Sequence, residues 1–173
     1  MFMKRTLAAV AIVLGTATAA SAADIPMAPA PPPPPPAAPS FDWSGPYVGA
    51  LAGWVVGPGP YLGAQIGYNF DMGGYVVGLE ARAGSPVLGF LPYGTLSGRA
   101  GVALGATDNI LLYGAAGVGF APGPGFFYTF GGGVEFAVSD SVSIFTEARG
   151  IGIFTGGCCG ALVQGGVNFH FGN

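Results

Sequence analysis

The sequence has very few charged residues. Only 8% of its 173 residues are Asp, Glu, Lys or Arg, whereas a soluble domain usually has about 25%. Of the five basic residues, Lys4 and Arg5 lie at the N-terminus, which leaves three for the rest of the chain. The sequence therefore offers no basic patch, and nucleic acid is not expected as a partner.

Residues for catalysis and metal binding are also scarce. His170 is the only histidine, and Cys158 and Cys159 are the only cysteines. A metal site usually needs three or four ligands, and a catalytic histidine needs partners on the same surface. We therefore expect no catalytic residues, no metal and no cofactor, and we interpret His170 as a packed side chain. The adjacent cysteines allow a strained vicinal disulfide, links to another molecule, or two buried thiols.

Glycine and apolar residues are abundant instead. The chain has 33 glycines and 16 prolines, 51% of its residues are hydrophobic, and its mean hydropathy is +0.58. Each glycine inside a helix costs about 1 kcal/mol and each proline about 3 kcal/mol relative to alanine. This composition favours β-strands in a lipid environment.

The first 40 residues divide into two segments. Residues 1–22 resemble a cleaved secretion signal, with a positive start at Met1–Arg5, an apolar stretch at Leu7–Leu14 and an Ala-Ser-Ala site that ends at Ala22. An uncleaved anchor is the alternative, which the short apolar stretch disfavours. Residues 23–40 contain the run Pro31–Pro36 and predict an extended linker, either a spacer across the periplasm or an inert tether.

From residue 41 onward, large apolar side chains alternate with small or polar ones. In Leu62–Phe70, for example, Leu62 and Ile66 share one face while Gln65 and Asn69 share the other. Alternation over about ten residues is typical of transmembrane β-strands. The pattern predicts eight strands, at Tyr47–Trp54, Leu62–Phe70, Tyr75–Ala83, Thr95–Leu104, Ile110–Phe120, Phe127–Val138, Val142–Gly150 and Ala161–Phe171.

The connections between these strands fall into two alternating sets. Short polar turns are predicted at Asp71–Gly74, Gly105–Asn109 and Ser139–Ser141, and longer loops at Val55–Pro60, Ser85–Tyr93, Ala121–Phe126 and Ile151–Gly160. Outer-membrane barrels have short periplasmic turns and longer external loops. The prediction is an all-β domain at residues 41–173, a transmembrane eight-stranded antiparallel up-and-down β-barrel with both termini in the periplasm.

The charged residues within the predicted strands all fall on the small-residue face. They are three acids and three bases: Glu80, Arg82, Arg99, Glu135, Glu147 and Arg149. We predict that they form a neutral charge network in the lumen, since an Arg facing lipid at mid-membrane would cost about 2–4 kcal/mol. In a helical membrane protein the i,i+2 spacing of Glu80 and Arg82 would turn one of them to lipid. A soluble β-sandwich would expose more Lys and Glu.

Several segments resemble the porin-like family of small outer-membrane β-barrels, which shares its architecture with the OmpA membrane domain and OmpX. Residues 41–49, FDWSGPYVG, are similar to the family's opening W-x-G-x-Y-V-G. Residues 98–102 and 130–137 are similar to its later hairpins, and the last strand ends on Phe171, with two further residues after it. The resemblance implies an outer-membrane location in a Gram-negative bacterium, insertion by the barrel-assembly machinery, and no catalytic residues.

The predicted external loops are unexpectedly apolar. The loop at Ser85–Tyr93 contains Phe90, Leu91 and Tyr93, and Phe126 lies beside Phe127. An exposed apolar patch usually marks an interaction surface, which here would contact lipid, lipopolysaccharide or a second barrel. Alternatively, the strands continue further than predicted and bury these residues in the bilayer.

The function predicted from these features is that of a structural or surface-interaction protein of the outer membrane. Eight strands leave an interior just wide enough for side chains, so the charge network is expected to plug the lumen. The alternative is a small passive channel for ions or small solutes. It is suggested by the many inward glycines, namely Gly63, Gly67, Gly101, Gly117, Gly131 and Gly133.

Overall fold

The computed structural model describes residues 40–87, 92–154 and 156–171, without the side chains of residues 157–159. Its strands are β1 (Gly45–Val55), β2 (Gly59–Asp71), β3 (Tyr75–Pro86), β4 (Tyr93–Leu104), β5 (Ile110–Ala121), β6 (Gly125–Ser139), β7 (Val142–Ile153) and β8 (Gly157–His170). The described residues contain no helix with the length and apolarity needed to cross a membrane. The signal at residues 1–22 and nearly all of the linker at 23–40 lie outside the described residues and stay predictions.

The eight strands form a closed barrel. Each strand pairs in antiparallel fashion with the next one along the chain, and β8 pairs back onto β1. In this last pairing, Val48 lies opposite Phe169 and Trp54 lies opposite Val163. A closed sheet has no unpaired edge. The predicted fold, an eight-stranded antiparallel up-and-down barrel, is confirmed.

The barrel has two ends, which differ in what they carry. The terminal end holds the described segment before β1, residue 171 after β8, and the connections 72–74, 105–109 and 140–141. The distal end holds the connections 56–58, 87–92, 122–124 and 154–156. Three of these four distal connections are only three residues long, so the predicted contrast between short turns and long loops is wrong.

Glycine explains why the distal connections are short. Gly57, Gly123 and Gly156 have φ values of 102°, 99° and 100°, which other residues rarely adopt. They allow the chain to reverse tightly, and the strands therefore continue through segments that the Gly and Pro content had marked as loops. Cys158 and Cys159 consequently belong to β8 rather than to a loop, although their side chains lie outside the described part.

The first turn at the terminal end follows its predicted chemistry. Asp71 Oδ1 accepts hydrogen bonds from the backbone amides of Gly73 at 2.9 Å and Gly74 at 3.2 Å. A carboxylate that binds amides two and three residues ahead is a common way for aspartate to stabilise a turn. The hairpin between β2 and β3 was thus readable from residues 71–74.

The outer face of the barrel is uncharged and mostly apolar in its described part. Leu62, Ile66 and Leu79 point outward and are about 60% exposed, whereas no charged side chain of the described residues points outward from a strand. Exposed aromatic side chains gather toward the two ends. They are Trp54, Phe120, Phe126, Tyr128 and Phe154 toward the distal end, and Tyr68, Phe70, Tyr75, Phe136, Phe169 and Phe171 toward the terminal end, with Phe130 alone near the middle of β6 among the described residues. An apolar band between two aromatic girdles is the surface of a transmembrane barrel.

Candidate functional site

The polar chemistry of the barrel lies in its lumen. The six charged residues predicted from the sequence to face inward are at most 6% exposed. They come from four strands: Glu80 and Arg82 from β3, Arg99 from β4, Glu135 from β6, and Glu147 and Arg149 from β7. We call these six residues the lumen network. Three carboxylates face three guanidinium groups, so their formal charges balance.

Four members of the lumen network form a ring of ion pairs at mid-barrel. Arg82 binds Glu80 at 2.8 Å and also contacts Glu147. Arg149 binds Glu80 at 2.8 Å and Glu147 at 2.6 Å. Each guanidinium therefore bridges both carboxylates across the lumen, from β3 to β7.

The other two members lie closer to the terminal end. Arg99 donates to Glu135 at 2.7 Å, and its guanidinium lies 3.9 Å from Glu80. The rings of Tyr47 and Tyr113 flank it, with their centroids 5.3 and 4.6 Å from the guanidinium carbon. Such cation–π contacts strengthen when water is excluded. Arg99 thereby links the ring of ion pairs to Glu135.

Neutral side chains occupy further acceptor positions of the carboxylates. Asn168 donates to Glu135 at 2.7 Å, and Tyr113 donates to Glu147 at 2.8 Å. Gln164 donates to Glu147 and accepts from the Tyr61 hydroxyl. A buried ion pair is tolerable when its remaining lone pairs find donors, and these contacts supply donors to the carboxylates.

A tryptophan covers the terminal end of the lumen. Trp43 lies before β1, is fully buried, and donates from its indole Nε1 to the backbone oxygen of Asp108 at 2.7 Å. It packs on Val76, Leu111 and Tyr113, together with Phe41 at its edge. Trp43 belongs to the opening motif at residues 41–49, but nothing in that motif predicts that it lies in the lumen. A lone Trp just before the first strand was the available signal.

His170 packs against Trp43 and belongs to a small polar cluster. Its Nε2 is 2.9 Å from Ser143 Oγ and 3.5 Å from Glu135 Oε1, and the Ser143 hydroxyl also donates to Glu135. This contact between a serine, a histidine and an acid was not predicted from the sequence. Ser143 and His170 are far apart along the chain, and no local pattern connects them.

The cluster does not have the geometry of a catalytic triad. In a triad the acid holds the histidine nitrogen that faces away from the serine. Here Glu135 contacts the serine and the nitrogen that faces it, and Nδ1 makes no hydrogen bond with the described residues. Ser143 is fully buried, and the rings of Phe41, Trp43 and Tyr47 surround His170. Neighbouring side chains therefore cover the hydroxyl. In addition, the described residues contain no group of three His, Cys, Asp or Glu that could hold a metal.

Between the ring of ion pairs and the distal end lies a cavity of about 360 Å³. Its wall is apolar and includes Val55, Ile151 and Leu162, and its polar floor includes Arg82 and Thr129. The predicted surface residue Tyr93 lines this cavity and packs its ring on Tyr61 at 5.8 Å, because it begins β4 with an inward register. Tyr93 is therefore not part of an outer surface loop. The other two predicted loop residues, Phe90 and Leu91, lie outside the described residues.

Some buried polar atoms of the lumen have no hydrogen-bond partner in the described part of the chain. Three of them, Thr95 Oγ1, Thr129 Oγ1 and Arg82 Nε, belong to residues that line the cavity, and so does Arg149 Nε, which has its ion pair with Glu147. Others lie outside the cavity lining, in Gln65, Asn69, Arg99 and His170. A buried hydroxyl without a partner costs about 1–3 kcal/mol, so the cavity floor has unused hydrogen-bonding capacity.

Comparison with known proteins yields structures but no sequence family. No family model matches the chain, and neither does any curated protein. The chain is similar to the N-terminal β-barrel domain of Pseudomonas aeruginosa OprF, at a TM-score of 0.52 and 16% identity over 73% of this chain and 96% of that one. It is also similar to Neisserial surface protein A, at 0.51 and 15% over 74% and 98%. A designed transmembrane β-barrel matches at 0.57 and 14% over 76% and 99%.

Identities this low establish the fold and nothing more specific. All three structures correspond almost over their full length to the described barrel of this chain. The resemblance inferred from the sequence is confirmed at that level. The chain has the fold of the small eight-stranded outer-membrane β-barrels, the OmpA and OmpX type.

Proposed function

We propose that the chain is a structural or surface-interaction protein of the Gram-negative outer membrane, without catalytic activity, whose lumen is closed to ions. The observation that carries this proposal is the pairing of all six charged lumen side chains with one another at no more than 6% exposure. An eight-stranded barrel has an interior that side chains just fill. Here the paired side chains fill its middle, and Trp43 covers one end.

The surface supports the location and the orientation. The uncharged outer face and the two aromatic girdles fit a bilayer. The four aspartates of the described residues, Asp42, Asp71, Asp108 and Asp140, all lie at the terminal end, which we assign to the periplasm. The distal end then contacts the acyl chains of outer-membrane lipid and lipopolysaccharide, and self-association of two barrels would use the same apolar surface. Insertion would require the barrel-assembly machinery.

The alternative function, a small passive channel, has less support. The inward glycines suggested space for water, but a Cβ at any of Gly63, Gly67, Gly101, Gly117, Gly131 and Gly133 would lie within 3.0 Å of another atom or at that limit. At Gly67 the ring of Tyr47 occupies the position. The glycines therefore admit neighbouring groups and do not leave a path. The distal cavity ends at the ring of ion pairs.

Conductance in planar bilayers tests the proposal. The purified protein is first refolded in detergent, and a β-type circular dichroism spectrum with a heat-modifiable gel band establishes the closed barrel. We expect the wild type to add no steps to the conductance of bare lipid, and the variant Trp43→Ala, Glu80→Ala, Arg149→Ala to add them, because it removes the cover and one carboxylate and one guanidinium of the ring. The variant Thr146→Val, at an exposed position on the lipid face, serves as the control. Steady ohmic steps from the folded wild type would refute the closed lumen and establish the channel.

A further inference from the structure

We propose that the distal cavity binds a single-chain amphiphile with an uncharged oxygen head group, such as a medium-chain alcohol. The chain would lie along the apolar wall, and the head would reach the floor at Thr95, Thr129 and Arg82. The cavity lies on the distal side of the ring of ion pairs, so binding there does not depend on whether the lumen conducts.

The size and the wall of the cavity indicate a small apolar ligand. A volume of about 360 Å³ lies within the range of about 300–1,000 Å³ that is usual for small-molecule sites. Val55, Ile151, Ile153 and Leu162 line it, and prolines of three distal connections or strand ends, Pro58, Pro86 and Pro122, add rigid apolar surface near its mouth. A two-chain phospholipid is too large for this volume.

The floor indicates an oxygen head group. Thr129 is 4% exposed, and its hydroxyl makes no hydrogen bond with the described residues; neither does the hydroxyl of Thr95 or the Nε–H of Arg82. All three residues line the cavity, while these three polar atoms are covered by neighbouring atoms. The Arg82 Nε–H can only donate, and the hydroxyls can donate or accept. A ligand oxygen reaches the hydroxyls when the threonine side chains rotate toward the cavity, and it then satisfies at least one of them.

The charge balance indicates that this head group is neutral. Arg82 already contacts Glu80 and Glu147, and Arg149 contacts the same two carboxylates. A carboxylate head would add an uncompensated buried charge, which is costly. An alcohol or ester oxygen uses the free donors without this cost, so selection against the matching fatty acid is expected.

Methyl NMR in phosphatidylcholine nanodiscs separates binding in the cavity from partition into the bilayer. The methyl groups of Ile151 and Leu162 line the cavity, whereas those of Ile66 and Leu79 face the lipid. Decanol, decanoate and decane are added at equal mole fractions of the lipid. We expect decanol to shift the Ile151 and Leu162 signals at lower mole fraction than decanoate or decane does.

Two variants with matched controls test the site. Thr129→Val should weaken decanol binding about five-fold, the loss of one hydrogen bond, while Thr146→Val on the lipid face leaves it unchanged. Gly160→Leu should abolish binding by filling the cavity, because a Cβ at Gly160 meets Ile151 only at 3.6 Å and is accommodated. Gly98→Leu, where a Cβ meets nothing within 4 Å, is its control. Equal shifts by decane and decanol, or unchanged binding in folded Thr129→Val, would overturn the proposal.

Discussion

The two halves of the lumen differ in how they are filled. At the terminal half, aromatic rings and a cluster of polar groups occupy the interior, with Trp43 and Tyr47 both at most 1% exposed. At the distal half, the interior contains a cavity of about 360 Å³ with unpartnered hydroxyl groups on its floor. The strands on both halves belong to the same closed sheet, so the difference arises from the side chains alone.

One end of the barrel can therefore stabilise the fold while the other end provides a binding site. Close packing stabilises a fold, and the loss of one partner of a buried ion pair destabilises it. A vacant space beside polar groups gives a ligand something to bind. Substitutions in the terminal half should therefore affect unfolding, and substitutions in the distal half should affect ligand binding with little change in unfolding.

The largest effect is expected from Arg99→Met. Removing this guanidinium leaves Glu135 without its arginine partner and takes one of three arginines away from Glu80. The unpaired buried charge costs about 4 kcal/mol. The free energy of unfolding in urea, measured in liposomes by the gel shift of the folded band, should fall by that amount.

A second substitution tests the cause of this loss. In Arg99→Met, Glu135→Leu both charges are gone, and the free energy of unfolding should recover in part, because a buried pair can often be replaced by apolar groups. If Arg99→Met alone is as stable as the wild type, then water in the lumen screens the charges of Arg99 and Glu135.

Trp43→Ala should have the next largest effect. The substitution removes a fully buried side chain and its hydrogen bond to Asp108, and large-to-small changes at aromatic core positions cost about 3 kcal/mol or more. Loss of near-ultraviolet circular dichroism together with a lower urea midpoint should report it. The outward Trp54, 60% exposed, gives the control Trp54→Ala, whose midpoint should fall less.

Ser143→Ala should have an intermediate effect. Its hydroxyl bonds to Glu135 and lies 2.9 Å from His170 Nε2, so two buried groups lose a partner at about 1–2 kcal/mol. The urea midpoint measures this loss. The same variant tests the absence of catalysis, since ester or phospholipid hydrolysis by the wild type that disappears in Ser143→Ala would make this cluster an active site.

Thr129→Val should have the smallest effect on unfolding. The hydroxyl makes no hydrogen bond with the described residues, and valine keeps the shape, so the free energy of unfolding should change by less than about 0.5 kcal/mol. A loss as large as that of Ser143→Ala would show that both hydroxyls are equally engaged and would remove the contrast between the two halves.

Much of the architecture could be predicted from the sequence because side-chain alternation has a period of two. All eight strands lie where the alternation placed them, and the placement of Glu80 and Arg82 on one face followed from their spacing alone. The strand ends were harder to predict. Gly59 and Gly125 seemed to belong to loops, yet both lie within strands, because the turns 56–58 and 122–124 needed only three residues.

The contacts between side chains in the lumen could be predicted from the sequence only in part. Alternation assigns a face to each side chain, but it does not say which residues meet across the barrel. The contact between Ser143 and His170 depends on the pairing of β7 with β8, and the cover by Trp43 depends on a segment that has no periodic pattern. The cavity is still less accessible to such reasoning, since empty space results from the volumes of residues on every strand.

The distribution of the lumen network along the chain has a consequence for biogenesis. The first four strands carry Glu80, Arg82 and Arg99, and the last four carry Glu135, Glu147 and Arg149. Each half sheet alone would hold one unmatched charge, positive in the first and negative in the second. Neither half can rest in hydrocarbon at low cost before the other arrives. Insertion into the bilayer should therefore coincide with closure of the barrel. A truncated fragment of four strands should stay at the interface between membrane and water.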